Sequence, residues 1–348
     1  MALSDLQPAL ATTFATQLVR AWNRTSVFLQ ALTFIAGGGQ GGGKQVAWDV
    51  QFSGARAQSF AEGSDIVPGE FAHDIEKPAT LAWGQYRSPF QLTNLEMNAA
   101  FANQGNAIEL ERILEERFFD AITRITSLMN RDAISGTGID ENGNPTILGV
   151  LTALSATGSY AAIDRTTYPE WAGNVVANGG VARALALELL AKAEQGQYVA
   201  SGRSCDMLLT TPGIKTKYEG IFTQIQRMVA GSTGPIPRMD ASSEDLYWRG
   251  RPLVRDKDMP QGNLVGLATS ELELRVLPWV PVPDMIPVTV RDLISSNGGA
   301  IQRSLGAFVH VYPLARTGSA VKFVAEIYCQ LRCKRPNEHF LISNISEA

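Results

Sequence analysis

Cysteine and histidine are scarce: three of each occur in 348 residues, and little chemistry can be built from them. Cys329 and Cys333 fall in the alternating segment from Val321 to Cys333, where residues four apart sit about 13 Å from each other along a strand, too far for a disulfide. One CxxxC without a second Cys or His cluster makes no zinc site, so these thiols read as semi-buried packing groups in a reducing compartment. His73, His310 and His339 show no HExxH or other ligand spacing; His310, in an alternating run, reads as a packing residue and the other two as solvated. A GxSxG elbow to present a serine nucleophile is missing. No stretch approaches the roughly 18 uncharged apolar residues that span a bilayer. Met1 to Arg20 lack the basic start, apolar run and cleavage site of a secretion signal, which predicts a chain that stays inside the cell that makes it. Positive charge is not in excess: 30 Lys and Arg against 34 Asp and Glu give a formal charge of −4, which argues against a stripe that grips nucleic acid. The absence of any repeat of about 20 to 50 residues argues against a solenoid or propeller.

What is there is ordinary for a folded protein: 45% hydrophobic and 18% charged residues, in a length that suits about two or three globular units. Charge is uneven along it. Glu62, Asp65, Glu70, Asp74 and Glu76 follow one another with no Lys or Arg between them, whereas residues 1–44 carry Arg20, Arg24 and Lys44 against Asp5. Such asymmetry is what a self-associating subunit could use for register. Phe14, Leu18, Trp22, Phe28, Leu29 and Leu32 have partly helical spacing but few neighbours with which to form a core, and so predict an arm that docks elsewhere. Gly37, Gly38, Gly39, Gly41, Gly42 and Gly43 then form a run costly to order, read as a flexible hinge. From Gly38 to Lys44 the run also satisfies GxxxxGK. It fails as a phosphate loop at Gln45, where Ser or Thr should hold magnesium, and in the strand-like alternation that follows where a helix should open.

Val46, Trp48, Val50 and Phe52 alternate as a strand with one buried face, with a partner expected at Thr80 to Tyr86. The connection between them, with Pro68-Gly69 as a turn signal, far exceeds the usual hairpin loop of about two to five residues. Asn106 to about Asp132 carries the strongest helical pattern: Ile108, Ile113, Leu114, Phe118, Ile122, Ile125 and Met129 on one face, Asn106 and Glu109 as a capping box, Gly136 beyond the end. It predicts a rod of roughly 40 Å. Glu115 and Glu116 belong to its charged face and are not singled out as acid and base. Further on, the pattern predicts a helix from Val181 to Gln195, a strand from Asp206 to Thr210, a helix from Pro212 to about Val229, and strands at 246–255, 264–277, 307–315 and 321–333. Asp256, Asp258 and Gly262 hint at calcium but lack the 12-residue loop pattern with its terminal Glu, and read as a turn with solvated acids. Trp171 reads as a core anchor. No catalytic residue, cofactor or metal is assigned.

The order of parts carries more than any one motif: a short arm, a long acidic two-stranded loop, a long helix, then a mixed unit closing with strands. This order resembles the major capsid proteins of tailed double-stranded DNA phages, the Hong Kong 97 type of fold. Local stretches are similar too: Arg165 to Trp171 (RTTYPEW), Thr211-Pro212-Gly213 with Lys217-Tyr218-Glu219, Trp248 to Val254 (WRGRPLV) running into Asp256 to Pro260 (DKDMP), and Lys334 to Asn337 (KRPN). The resemblance implies an α+β fold with an N-terminal arm over 1–43 and an extended hairpin loop over 44–97. It also implies a peripheral domain from 98–149 and part of 266–348, with spine helix 106–132, and an axial domain from 150–265 plus returning C-terminal strands. It further implies a non-enzymatic subunit of the virion, made in the host bacterial cytoplasm, that assembles with itself as pentamers and hexamers around double-stranded DNA. Expected partners are a separate scaffolding protein, since only a short segment precedes the first strand, a portal protein at one vertex and a decoration protein; no membrane is involved. In that family the extended loop lies over the adjacent subunit, so Glu62, Asp65, Glu70 and Asp74 are expected to approach Arg112, Arg117 and Arg124 of a neighbour, with Phe14, Leu18 and Trp22 as further contact residues. The alternatives are the shell protein of an encapsulin-like nanocompartment and, from another class, a nucleotide-binding enzyme using residues 37–44.

Overall fold

Period-two apolar alternation makes strands with a wet and a dry face, and 3.6-residue periodicity makes helices with a dry stripe; both are realised in a computed structural model of the chain. It describes residues 27–37, 43–53, 59, 62–63, 75–102, 107–229, 246–277, 309–314 and 318–347. In chain order the elements are α1 (Val27–Ala31), β1 (Thr33–Ala36), β2 (Gln45–Ser53), β3 (Ile75–Ala82), β4 (Gly84–Thr93), α2 (Asn94–Ala102), α3 (Ala107–Ser135), β5 (Thr137–Ile139), β6 (Pro145–Leu148), α4 (Val150–Ala153), β7 (Ser159–Tyr160), β8 (Ile163–Asp164), β9 (Asn174–Val176), α5 (Leu187–Ser201), β10 (Met207–Thr210), α6 (Pro212–Val229), β11 (Leu246–Trp248), β12 (Arg251–Arg255), β13 (Leu264–Leu267), β14 (Leu272–Val276), β15 (His310–Pro313), β16 (Ala320–Cys333) and β17 (Phe340–Ile342). Among the described residues no helix is long and apolar enough to cross a membrane.

Two sheets organise the chain. In the first, β16 is the central strand. β4 pairs with it antiparallel from Ala320↔Thr93 to Cys329↔Gly84, and β14 and β15 also pair with it antiparallel. β1 adds to β14 in parallel, Thr33 opposite Glu273. Cys329 and Cys333 point into the core as free, buried thiols. Against this sheet lies α3, whose 29 residues make a rod of about 43 Å. Phe118, Ile122, Ile125, Met129 and Ala133 are buried on one side of it, while Arg117, Asp120 and Arg124 are exposed on the other.

The second sheet has the strand order β11-β12-β10-β13-β17-β9. Strand pleating sorts its side chains by parity. Leu208, Leu246, Leu253, Leu264, Phe340 and Ile342 pack on one face with Leu190 and Ala193 of α5 and Ile214 and Tyr218 of α6. Met207, Leu209, Val265, Leu267 and Leu341 belong to the larger core shared with α3 and the first sheet. One position shows how tightly this is built: a Cβ on Gly266 would enter the Phe340 ring opposite it, so only glycine lets that ring lie across the strand.

Several expectations need correction. The partner of β2 is Ile75–Ala82, not Thr80 to Tyr86. Trp83 is buried with its Nε1 donating to the Gly43 carbonyl at 2.9 Å, and Gly84 passes so close to Ile147 and Cys329 that the chain leaves the ribbon there and joins β16. The helix expected from Val181 begins at Leu187, because Arg183 is bridged to Ile345 and donates its N–H to the Asn344 carbonyl at 2.8 Å. Where an arm without a core of its own is expected, Phe28, Leu29 and Leu32 are buried in the main core and β1 extends the first sheet. Phe14, Leu18 and Trp22, and the hinge residues Gly38, Gly39, Gly41 and Gly42, lie outside the described residues. The two ends of the glycine run are anchored: Gly37 donates its N–H to the Val276 carbonyl at 2.8 Å, and Gly43 accepts from Trp83.

Candidate subunit interface

Four features of this body could engage other molecules: a ribbon, a groove, a polar junction and a set of exposed apolar side chains. The ribbon is β2 with β3. At its base Val46, Trp48, Ala79 and Leu81 are buried, the Arg332 guanidinium lies 5.0 Å above the Trp48 ring, and Phe52 stacks on Tyr168 at 4.4 Å. The base is therefore fixed to the body, while Glu62 and Gly63 form an exposed turn between the strands. Asp65, Glu70 and Asp74 lie outside the described residues.

The groove, of about 410 Å³, runs between β4 and α3 and is lined by Pro89, Phe90, Arg117, Asp120, Arg124 and Lys322 among others. Arg117 Nη2 contacts Glu96 Oε1 at 3.0 Å and Arg124 Nε contacts Asp120 Oδ2 at 3.0 Å, both pairs partly or largely in solvent and so weakly held. The Thr93 N–H keeps the Glu96 carboxyl below the usual glutamate range, helped by Arg117. Of the three arginines expected to meet a neighbour's acids, two thus line one groove together with Lys322; the side chain of Arg112 is outside the description.

At the polar junction Asp256, read from sequence as part of a solvated turn, is buried. Its carboxylate accepts from the Phe28 N–H at 3.2 Å, from Asn130 Nδ2 at 3.0 Å and from the Asp258 N–H at 3.0 Å, and Asp258 Oδ2 accepts from Asn130 Nδ2 at 2.6 Å. One side chain therefore joins α1, α3 and the end of β12. His339, also expected in solvent, is fully buried with Nδ1 accepting from the Ala268 N–H at 3.1 Å, and burial pushes its imidazole down to about 3. Among the described residues no cluster of three or more His, Cys, Asp and Glu could hold a metal. Lys44 is followed by strand β2, where a phosphate site would open a helix. The exposed apolar side chains include Val181, Tyr198, Val199 and Tyr247.

No protein-family model and no curated protein matches the chain. Solved structures do. The capsid asymmetric unit of cyanophage A-1(L) superposes with a TM-score of 0.70 at 16% identity, over 92% of this chain and 93% of that one. The capsid of the native GTA particle gives 0.54 at 14% identity over 91% and 89%, and Mycobacterium phage Bobi gives 0.50 at 14% over 93% and 91%. The chain has the Hong Kong 97 type of capsid fold.

Two organising groups of this capsid fold escaped the sequence reading. Arg165, inside the RTTYPEW stretch, is buried and donates to the carbonyls of Thr152, Ala153, Thr157 and Trp171, tying the segment after α4 into a closed loop. A lone arginine next to Thr-Thr-Tyr-Pro carries no signal of that role; the nearby Trp171, correctly read as a core anchor, was the available hint. The contact of Asp256 with Phe28 spans 228 positions, which no local pattern announces.

Proposed function

We propose that the chain is the major capsid protein of a tailed phage, a non-enzymatic subunit that assembles as pentamers and hexamers into the icosahedral virion shell enclosing double-stranded DNA. The observation that carries this reading is the end-to-end superposition on a cyanophage capsid subunit, with more than nine-tenths of both chains covered. The ribbon and groove give the reading a contact chemistry. The acidic loop between β2 and β3 (Glu62, Asp65, Glu70, Asp74) of one copy seats in the Arg117, Arg124 and Lys322 groove of the next, where opposite charge sets register. Residues 44–97 then act as the extended loop and α3 as the spine of the peripheral domain, with 150–265 as the axial domain. Only the part of the arm before Val27 reaches outward, because Val27–Ala36 belongs to the body. Scaffolding, portal and decoration proteins are the partners such a shell employs, and assembly takes place in the host bacterial cytoplasm. Negative-stain microscopy of the purified or co-expressed protein tests the proposal: closed shells support it, and a stable dispersed monomer under all assembly conditions refutes it. Nucleic acid inside particles from infected cells separates a genome shell from a nanocompartment built on the same fold.

A further inference from the structure

A buried arginine normally directs its N–H groups to carboxylates or carbonyls, as Arg165 does. Arg332 of β16 is placed differently. Its side chain is 14% exposed, and its guanidinium lies over the Trp48 ring of β2. Among the described residues its one ion contact, Nη1 to Glu273 Oε2 at 3.6 Å, is too long for a hydrogen bond. Glu273 is already held more closely by Arg275 Nη2 at 2.8 Å and Lys334 Nζ at 2.5 Å. Arg332 Nε is buried without an acceptor, and so is Nε1 of Trp48, a residue only 6% exposed. Two unmet donors on neighbouring side chains from two different strands are exceptional in a folded interior.

Both residues line a cleft of about 690 Å³ between the root of the ribbon, the end of α5 and the turn after β16, a size that suits a small ligand. The charges around it leave Arg332 over. Arg203 and Arg335 engage Glu271 and Glu338, and Arg275 and Lys334 engage Glu273. Asp49 also lines the cleft without an ion pair among the described residues, but it follows Trp48 along β2 and so points to the opposite face of the strand, away from the ring that Arg332 covers. Burial with no hydrogen-bonded anion pulls the Arg332 guanidinium below its ordinary pKa, a shift that a bound anion would reverse. A multiply charged anion would meet the carboxylates of Asp49, Glu271 and Glu338 on the same walls, whereas one negative charge matches the one unpartnered guanidinium.

We propose that this cleft is a binding site for a small, singly charged carboxylate, held between Trp48 Nε1 and the Arg332 guanidinium. A carboxylate has two oxygens that accept several hydrogen bonds, and so can satisfy both donors at once. Ser201 and Asn337, also on the cleft wall, offer polar contacts to the rest of the ligand. Because Trp48 belongs to β2 and Arg332 to β16, the bound anion ties the root of the ribbon to the central strand of the first sheet. The site lies within one chain and does not depend on the shell reading; it fills in a lone subunit as well as in a particle.

The probe is sodium acetate at neutral pH, compared with sodium chloride and sodium phosphate of equal ionic strength. For a dissociation constant of about 10 mM, about 100 mM acetate stabilises the occupied state about tenfold, which should raise the Tm of the purified protein by about 2 °C over chloride. Hydrogen exchange on the same protein should show the amides of Gln45–Ser53 slowed about tenfold by acetate. Trp48→Phe keeps a ring under Arg332 and removes the N–H, and Arg332→Lys keeps the charge and removes the planar fork. Each should lose most of the acetate effect relative to its own chloride control, while Arg124→Gln, in the groove between β4 and α3, should keep it. No acetate effect beyond chloride in the parent means that water serves the two donors, and overturns the proposal. An effect of phosphate equal to that of acetate overturns the single-charge assignment, and an acetate effect undiminished in both Trp48→Phe and Arg332→Lys overturns the site. A raised Tm without slowed exchange at Gln45–Ser53 places the ion elsewhere and overturns it too. The exchange measurement uses the parent alone, so it decides even if both variants fail to fold.

Discussion

Asp256→Ala should loosen the start of the described chain selectively. The Asp256 carboxylate accepts the Phe28 N–H at 3.2 Å and Asn130 Nδ2 at 3.0 Å, both inside the protein. Asn130 retains Asp258 as an acceptor at 2.6 Å, so its amide keeps a partner. The Phe28 N–H keeps none, and a buried donor left without an acceptor costs about 1–3 kcal/mol, with the lost charge-assisted bond adding to it. A loss of about 3 kcal/mol follows. Phe28, Leu29 and Leu32 remain buried and each contributes about 1.5–3 kcal/mol, so the segment loosens without leaving the body. Hydrogen exchange followed by mass spectrometry resolves this: amides of residues 27–36 should exchange about 100-fold faster in the variant, a factor equal to roughly 2.7 kcal/mol of opening free energy, while β16 changes little. Asp256→Asn should be milder, since its carbonyl oxygen in the place of Oδ2 still accepts from the Phe28 N–H and Asn130 Nδ2, and only the Asp258 N–H then faces the NH2 group. Equal protection of residues 27–36 in variant and parent, or a uniform loss across the chain, would refute the assignment of Asp256 as the tie between α1 and α3.

Arg165→Met leaves the carbonyls of Thr152, Ala153, Thr157 and Trp171 without their shared donor, and denaturant unfolding should show a loss of about 3 kcal/mol or more. Gly266→Ala drives a methyl into the Phe340 ring and should cost about 1–3 kcal/mol, visible as a lowered Tm, with Gly266→Ala/Phe340→Leu recovering part of it. His339 is held neutral in the fold down to about pH 3, so the unfolded chain binds the extra proton first and stability is lost as pH falls below about 6.5; between pH 7 and pH 5 this amounts to about 2 kcal/mol, a slope that His339→Gln should flatten in paired denaturation curves. Arg117→Glu with Arg124→Glu changes exposed residues and should leave monomer stability within about 0.5 kcal/mol, yet reduce the yield of closed particles in sedimentation; unchanged assembly would remove the groove as the seat of the acidic loop.

Periodicity made much of this fold legible. The α3 stripe, the alternation of β2 and β16, and Pro212 opening α6 are local patterns, and local patterns determine local structure. The order of those elements then pointed to the capsid fold before any superposition. What stayed hidden depends on groups far apart in sequence. Nothing near Asp256 announces Phe28 as its partner, and nothing near His339 places it beneath β13, because burial of a polar residue is decided by what arrives from elsewhere. The same cause moved the partner of β2: Gly84 meets the backbone of Ile147 and Cys329, and that encounter, not propensity, ends the ribbon at Ala82. Of the candidate interface, sequence found two arginines that line the groove but not the unpaired edge of β2, which emerges among the described residues only once the register places Pro78 opposite Asp49.

A subunit that must fold before it assembles cannot leave its interior to its neighbours. The sequence suggested the reverse for the arm, whose apolar residues have few neighbours with which to form a core. The structure resolves this by lending those residues the core of the rest: Phe28, Val46, Trp48, Ala79 and Leu81 are buried in one cluster with Met129 of α3 and Leu331 of β16. At about 1.5–3 kcal/mol for each large apolar side chain, this is ample to order the root of the ribbon in an isolated copy. On the proposed shell reading, contacts between copies form outside this core and can differ from copy to copy, while the core stays the same in each.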